Sequence, residues 1–475
     1  MKSRALLLVV VLVSWSPAAS TAEIEAWPAF RGPNSSGVSD SAKPPVRIGP
    51  DENLQWSSDV PGSPSSPCLW GDRIFLTTFA AGGLETRCYE RAHGRLVWTR
   101  VSPAERLEAY QATEGSPASA TPATDGRRVV SYFGSCGLVC HDFAGKELWR
   151  YVLPPAVTAG DFGSGTSPLI VGHLVVVNRD QARNSSLLAV NLTTGKKAWE
   201  SPRPDAPTSY GTPVFWKDGR NAEIVLAGSL TVKGYDPKTG VERWRVRGLP
   251  SFTCTTPVIG DGMLFFAGWS PGKADSPWPS WESTLSSMDK NGDGVITLDE
   301  FKDKNDAAWF KSQDVNGNGK LDKEDWDTIS SLMKQGENVM LAVKLGGSGD
   351  VTDAHVAWKF TRGLPYVPSP LFYQGRIYVV KDGGMVSSVD AKSGRPVYAQ
   401  ERINAGGSYY ASPVAADGRI YVVSLNGKVT VFKAGGDRPE ILHQAEFKER
   451  IASTPALAGR QLYLRTARKL YAFGE

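Results

Sequence analysis

The sequence predicts an all-β fold, an eight-bladed β-propeller closed by N- and C-terminal strands, with a small α-helical insertion in one blade. Three observations lead there. A Ser/Thr-Pro pair recurs eight times ahead of short apolar runs, a Gly turn followed by an aromatic residue recurs at the end of the units, and one unit is oversized.

The pairs are Ser66-Pro67, Thr121-Pro122, Ser167-Pro168, Thr212-Pro213, Thr256-Pro257, Ser369-Pro370, Ser412-Pro413 and Thr454-Pro455. From Pro to Pro the steps are 55, 46, 45, 44, 113, 43 and 42 residues, so all but one sit near a common period. The unit from Ser167 to Glu200 shows the content: an apolar run through Leu174 to Val177, a second through Leu187 to Val190, then the turn Thr194-Gly195 into Trp199. Several short strands per unit at such a period indicate propeller blades.

The second anchor reads Gly94 to Trp98, Gly145 to Trp149, Gly195 to Trp199, Gly240 to Trp244 and Gly394 to Tyr398, and Trp358 ends the long unit. The eighth unit stops at Glu475 without an aromatic closing strand, while Leu54-Gln55-Trp56 precedes the first unit and belongs to none. Trp56 is therefore expected to complete the last blade, which removes the open sheet edge of an unclosed array. The aromatic residues are expected to pack between neighbouring blades.

The segments Ala189-Val190-Asn191-Leu192-Thr193-Thr194-Gly195 to Trp199 and Tyr235-Asp236-Pro237-Lys238-Thr239-Gly240 to Trp244 resemble the repeat of pyrroloquinoline-quinone (PQQ) propellers, in which [Ala/Val]-x-[Asp/Asn]-x-x-Thr-Gly-x-x-x-Trp closes each blade. The resemblance runs from about Asn53 to Glu475 apart from the insertion, and it speaks to fold more than to activity. No blade ends in Trp-Asp, and no kelch-type Gly-Gly recurs at a fixed position.

Ahead of the repeats, residues 1–22 read as a secretory signal: Lys2 and Arg4, an apolar run from Ala5 to Val13, and Ser20-Thr21-Ala22 as a small-residue cleavage site. An exported protein, periplasmic or extracellular, is the expectation, and no apolar run is long enough to favour a membrane span. Residues 23–52 form an N-terminal segment whose Trp27-Pro28-Ala29-Phe30-Arg31-Gly32-Pro33 is similar to the opening of many secreted PQQ-like propellers of planctomycete-type bacteria. Its Trp and Phe are expected to pack against the ring. A formal net charge of +4 without a basic cluster gives no reason to expect a nucleic-acid partner.

The five cysteines are Cys68, Cys88, Cys136, Cys140 and Cys254, so an exported chain keeps at least one thiol unpaired within itself. Cys136 to His141 is one residue too long for a Cys-x-x-Cys-His haem attachment, and Cys140 falls where other units hold Cys88, Ala189, Gly234 and Ser388, a position for small residues. A local disulfide between Cys136 and Cys140 remains open at this point.

The oversized unit divides the ring into residues 53–269 and 339–475, with residues 270–338 inserted. The insertion holds two twelve-residue loops. In the first, Asp289, Asn291, Asp293, Thr297 and Glu300 supply side-chain oxygens, Val295 a carbonyl, and Gly294 the tight turn. Calcium takes six to eight oxygens in this spacing, so the loop is a complete EF-hand. The second places Asp314, Asn316, Asn318, Lys320 (through its carbonyl), Asp322 and Asp325 at the same positions but ends in Asp, a shorter carboxylate than the usual Glu. Ile296 and Leu321 should pair as a ribbon between the loops, and Phe301, Trp309 and Phe310 supply the apolar side of the helical connection. Calcium bound here is expected to act as a structural clamp.

An insertion between the second and third strands of a blade lies on the face of the loops that lead into each innermost strand, so the EF-hand pair is expected over the central funnel. The residues just ahead of the Ser/Thr-Pro pairs are the funnel candidates: Glu114, Asp161, Tyr210, Cys254, Tyr366, Tyr409, Tyr410 and Arg450. No catalytic residue is assigned. The PQQ resemblance implies either a binding or scaffolding propeller, like the outer-membrane assembly factors, or a PQQ- and calcium-dependent dehydrogenase. The first is favoured, with a protein or small-molecule ligand at the funnel, because the adjacent Cys-Cys pair of quinoprotein alcohol dehydrogenases has no counterpart here.

Overall fold

The computed structural model describes residues 24–271, 279–300 and 306–475. The expected leader, Met1 to Ala22, and the side chains of Phe301 and Trp309 lie outside what is described. Eight antiparallel blades form the ring. The third shows the pattern, with a short innermost strand Leu169–Val171, then Leu174–Arg179, Ser186–Asn191 and the outer strand Lys197–Pro202. The second strand is buried along its whole length and the outer one exposes most of its residues. Stacking blades cover both faces of the middle strands, which is why these read as unbroken apolar runs in the sequence.

Both sequence anchors have a physical role. The backbone N–H of each Ser/Thr donates to the side-chain hydroxyl of its counterpart in the following blade: Ser66 to Thr121, Thr121 to Ser167, Ser167 to Thr212, Thr212 to Thr256, Thr256 to Ser369, Ser369 to Ser412 and Ser412 to Thr454, at 2.9 to 3.1 Å. A buried N–H that has left the blade's own ladder is thereby satisfied by a side chain that only Ser or Thr supplies at that reach.

The aromatic anchor links the outer parts of the blades. The indole N–H of Trp56, Trp98, Trp149, Trp199 and Trp358 donates to a backbone carbonyl of the next blade, that of Arg91, Phe143, Leu192, Pro237 and Ala391 respectively. The next blade's Gly turn lies on the indole: a Cβ at Gly240 would stand 2.4 Å from Trp199. Opposite the Trp in the sheet sits a small residue, as Cys88 faces Trp98, Cys140 faces Trp149 and Ala189 faces Trp199. Trp244 departs from the pattern. Its indole donates to Glu223 of its own blade, and a short strand Gly349–Asp350 pairs parallel to Trp244–Arg245 on the outer edge.

Leu54–Asp59 pairs with Lys469–Gly474, Trp56 standing opposite Ala472, so the N-terminal strand completes the last blade as expected. The segment before it crosses the ring. Ala26–Trp27 pairs with the first blade, Pro28 accepts from Thr124 of the second, Asn34 brackets the N–H and C=O of Phe215 in the fourth at 2.7 Å each, and Lys43 donates to Gly459 in the eighth. Trp27 is fully buried, as expected, but Phe30 reaches the central cavity.

The insertion leaves the fifth blade after Met263–Gly268 and returns at Val339–Lys344. It contains helices Trp281–Met288, Asp306–Gln313 and Lys323–Gln335, with Ile296 paired to Leu321 in the ribbon. Trp281, Ile296, Phe310, Leu321 and Trp326 form its own small core. No helix among the described residues is long and apolar enough to cross a membrane.

Candidate functional site: the roofed funnel

A cavity of about 1610 Å³ occupies the funnel on the face carrying the Ser/Thr-Pro loops. Seven of the eight ring hydroxyl residues, all but Thr212, reach its floor together with Phe30. Its walls include Glu114, Tyr210, Cys254, Tyr366 and Tyr410, five of the eight residues singled out from the sequence. Its roof is the insertion, through Gln313, Val315 and one face of the helix Lys323–Gln335.

Around Tyr366 and Tyr410 the wall is aromatic. Tyr366 is 37% exposed and meets Trp269 edge to face, ring centroids 5.5 Å apart. The Tyr410 phenol donates to the Glu114 carboxylate, and the Arg450 guanidinium lies over the Tyr410 ring at 5.8 Å. Burial pushes the phenols of Tyr210, Tyr366 and Tyr410 upward, and for Tyr410 the bond to Glu114 adds to it. All three therefore stay neutral donors at physiological pH. Burial also pushes the Cys254 thiol up to about 12, so beneath the roof it is held as the unreactive thiol.

Three sequence candidates fall elsewhere. Tyr409 is in the core between the sixth and seventh blades, 1% exposed, its hydroxyl donating to the Ala405 carbonyl at 2.5 Å. Neighbours in extended backbone point to opposite sides, so placing Tyr410 in the funnel sends Tyr409 away from it. Asp161 sits in a 3-10 turn beside the cavity and meets Lys311 of the insertion at 3.7 Å instead. Arg450 stays at the rim, held by Tyr410 and the Thr113 carbonyl. Conversely, Arg183 was not singled out, yet it lines the cavity and donates Nε to the Val315 carbonyl at 2.6 Å and Nη2 to that of Asp314 at 2.7 Å.

The two loops of the insertion have the geometry of cation-binding loops. Gly292 and Gly294, then Gly317 and Gly319, adopt positive φ between 70° and 84°. Asp289 accepts from the N–H groups of Gly292 and Gly294, and Asp314 from those of Asn318 and Gly319. The last acid of each loop folds back onto its start: Glu300 accepts from Lys290 at 2.8 Å and Thr297 at 2.7 Å, Asp325 from Val315 at 2.9 Å. These amide bonds hold Glu300 below the usual carboxylate range, whereas burial raises Asp325. Among the described residues no three His, Cys, Asp or Glu side chains are gathered as a ready cage. The donor set relies on Asn, Thr and backbone carbonyls as well, the mixture that hard oxygen-seeking calcium accepts.

All five thiols are free, Cys136 and Cys140 included, and the latter is a core residue between the second and third blades. The possible disulfide between these two is thus absent.

A family model described as outer membrane protein assembly factor BamB matches residues 85–247 and 348–474, on either side of the insertion. The chain belongs to this PQQ-like repeat family. EF-hand models match residues 282–303 and 306–330 within the inserted part. No curated protein matches the sequence. Among solved structures the chain is similar to BamB from Moraxella catarrhalis, with 14% identity, a TM-score of 0.53 and coverage of 91% of this chain and 100% of that one. It is also similar to the quinohemoprotein alcohol dehydrogenase ADHIIG from Pseudomonas putida HK5, with 12% identity, a TM-score of 0.55 and coverage of 94% and 80%. A europium-containing methanol dehydrogenase gives 10% identity, a TM-score of 0.55 and coverage of 95% and 98%. At such identities the likeness is one of fold, and the family includes members whose names denote assembly and neighbours whose names denote catalysis.

Proposed function

We propose that this chain is an exported, calcium-binding propeller that works by binding, taking a small-molecule ligand or a protruding segment of a protein partner into the roofed funnel. The observation that supports this most is the wall: three neutral tyrosines, a ring of hydroxyl residues, and carboxylates that are already engaged, Glu114 by Tyr410 and Asp205 by Lys233 and Arg245. Such a surface suits an uncharged, hydrogen-bonding ligand with faces that stack on aromatic rings. Calcium would be held by Asp289, Asn291, Asp293, Val295, Thr297 and Glu300, and by the matching residues of the second loop, and would stabilise the roof.

The alternative, a PQQ-dependent dehydrogenase, rests on the likeness to quinoprotein folds. The wall residues fit it poorly. PQQ is a polycarboxylate, and among the described residues the cationic side chains lining the cavity, Arg183 and Lys323, belong to its roof or touch it. General-base catalysis also needs a free carboxylate within reach of substrate, whereas the Tyr410 phenol occupies Glu114, Lys233 and Arg245 occupy Asp205, and Lys323 occupies Asp327.

Titration of the mature protein with PQQ, in calcium and then in chelator, separates the two. Submicromolar binding that chelator abolishes would install the dehydrogenase reading. Absence of PQQ binding, with an oligosaccharide or peptide retained by the native protein and lost by the Tyr366→Ala/Tyr410→Ala variant at unchanged melting temperature, supports the binding reading.

A further inference from the structure

The second loop and the cavity are parts of one mechanical unit. The helix Lys323–Gln335 starts inside the loop: Asp322 is its N-cap, accepting from Glu324 at 2.9 Å and Asp325 at 3.2 Å, and the loop's last acid, Asp325, closes the capping box. The same helix presents Thr328, Ile329 and Leu332 to the cavity. Both ends of the insertion are pinned to different blades. At its base, Ser251 donates to the Leu332 carbonyl at 3.1 Å and Glu337 donates to the Leu249 carbonyl at 3.0 Å. At the far end, Arg183, from a loop of the third blade, grips the carbonyls of Asp314 and Val315. The guanidinium lies on the loop so closely that a Cβ at Gly317 would stand 1.7 Å from it.

We infer that calcium in the second loop controls access to the funnel, with Arg183 as the positioning residue that transmits it. This rests on the calcium-binding reading above and adds regulation to it. A cation drawing in Asp314, the carbonyl of Lys320 and Asp325 fixes both the carbonyls Arg183 holds and the first turn of the roof helix. The helix then stays across the mouth, anchored on two blades. Without the cation, the carboxylates of Asp314, Asp322 and Asp325 repel one another in a half-buried loop, the helix start loosens, and the grip of Arg183 is left to hold the loop itself. Arg183 suits the task because its planar fork holds two carbonyls in one fixed geometry, where a lysine offers a point charge on a flexible stem.

Cys254 supplies a reporter, since it lines the cavity while the other four cysteines are buried. The full chain is treated with a bulky maleimide and labelling of Cys254 is followed by mass spectrometry, in calcium and in chelator, alongside calcium titration by calorimetry. Labelling about tenfold slower in calcium is expected, a typical size for coupling between sites. In Arg183→Ala and Arg183→Lys the protection should shrink while calcorimetric calcium binding persists. Equal labelling rates with calcium demonstrably bound would overturn the coupling and leave the calcium-binding reading standing. Failure to bind calcium at all would overturn both.

Discussion

The backbone N–H of Thr454 donates to the hydroxyl of Ser66 at 2.9 Å, and this bond joins the eighth blade to the first. It is the last member of a closed circuit in which every blade gives an N–H to one neighbour and a hydroxyl oxygen to the other.

Ser66→Ala removes the acceptor and leaves the Thr454 N–H buried without a partner. A loss of about 1–3 kcal/mol in unfolding free energy is expected, the penalty for such an orphan. Ser66→Thr keeps the hydroxyl and should change stability by less than about 1 kcal/mol, since other blades use Thr at this place. Chemical denaturation of the two variants side by side checks the pair.

The Gly turns offer a second contrast. Gly240 and Gly418 have nearly equal φ of 74° and 73°, but a Cβ at Gly240 would lie 2.4 Å from Trp199 and one at Gly418 would meet nothing within 4 Å. Both Ala variants carry the left-handed penalty of about 1–2 kcal/mol. Only Gly240→Ala must also displace a Trp wedged between blades, for roughly 1–3 kcal/mol more. Melting curves with tryptophan fluorescence should show the larger loss, and a shifted emission, in Gly240→Ala alone.

Calcium affinity should differ between the two loops because their last acids differ in length. Glu300→Gln is expected to abolish the stronger site in calorimetry. Asp325→Glu is expected to tighten the weaker one, because the longer carboxylate reaches a metal through both oxygens and still suits the third position of a capping box. Saturating calcium at about a hundred times the dissociation constant should add about 2.7 kcal/mol to the stability of whatever unfolds with the insertion.

Glu108 makes stability depend on pH in an unusual direction. It is 2% exposed behind the cavity wall, accepts from the Ser164 N–H at 3.0 Å and hydroxyl at 2.7 Å, and burial raises its carboxyl to about 7. The folded chain therefore holds this proton more tightly than the unfolded one. Its contribution is full below the unfolded value near 4.5 and declines as pH rises to about 7, by roughly 3 kcal/mol at most. Glu108→Gln should remove that slope from a series of denaturation curves between pH 4.5 and 8. An unchanged slope would assign it to other groups.

The ring could be read from the sequence because every blade repeats the hydroxyl bond and most repeat the aromatic anchor. Ser/Thr-Pro marks the hydroxyl circuit, Gly turn and Trp mark the wedge between blades, and Trp56 was recognisable as the piece missing from the eighth blade. The EF-hand loops were legible for the same reason, a fixed spacing tied to one geometry. The funnel wall was less so. Tyr409 and Tyr410 are chemically identical neighbours, and only the direction of the backbone decides that one is core and the other wall. Arg183 carries no local signal, as its carbonyl partners are 131 and 132 residues away. The crossing of the N-terminal segment depends on polar contacts such as Asn34 with Phe215, which composition does not announce.

The strand that completes the last blade has a bearing on how the molecule assembles over time. Gln55 donates to the Gly474 carbonyl across a sequence separation of 419 residues, whereas the other blades, apart from the fifth with its insertion, are built from hairpins between near neighbours. Closing so wide a loop adds an entropic cost that local hairpins escape, and it delivers its contacts only when both ends are present. Seven blades can thus gather as an open arc before the final pairing snaps the circle shut, and until then Lys469–Gly474 and its partner strand Leu54–Asp59 expose unpaired edges. A chaperone or a neighbouring copy that engages those edges would meet the protein in this interval and at no later one.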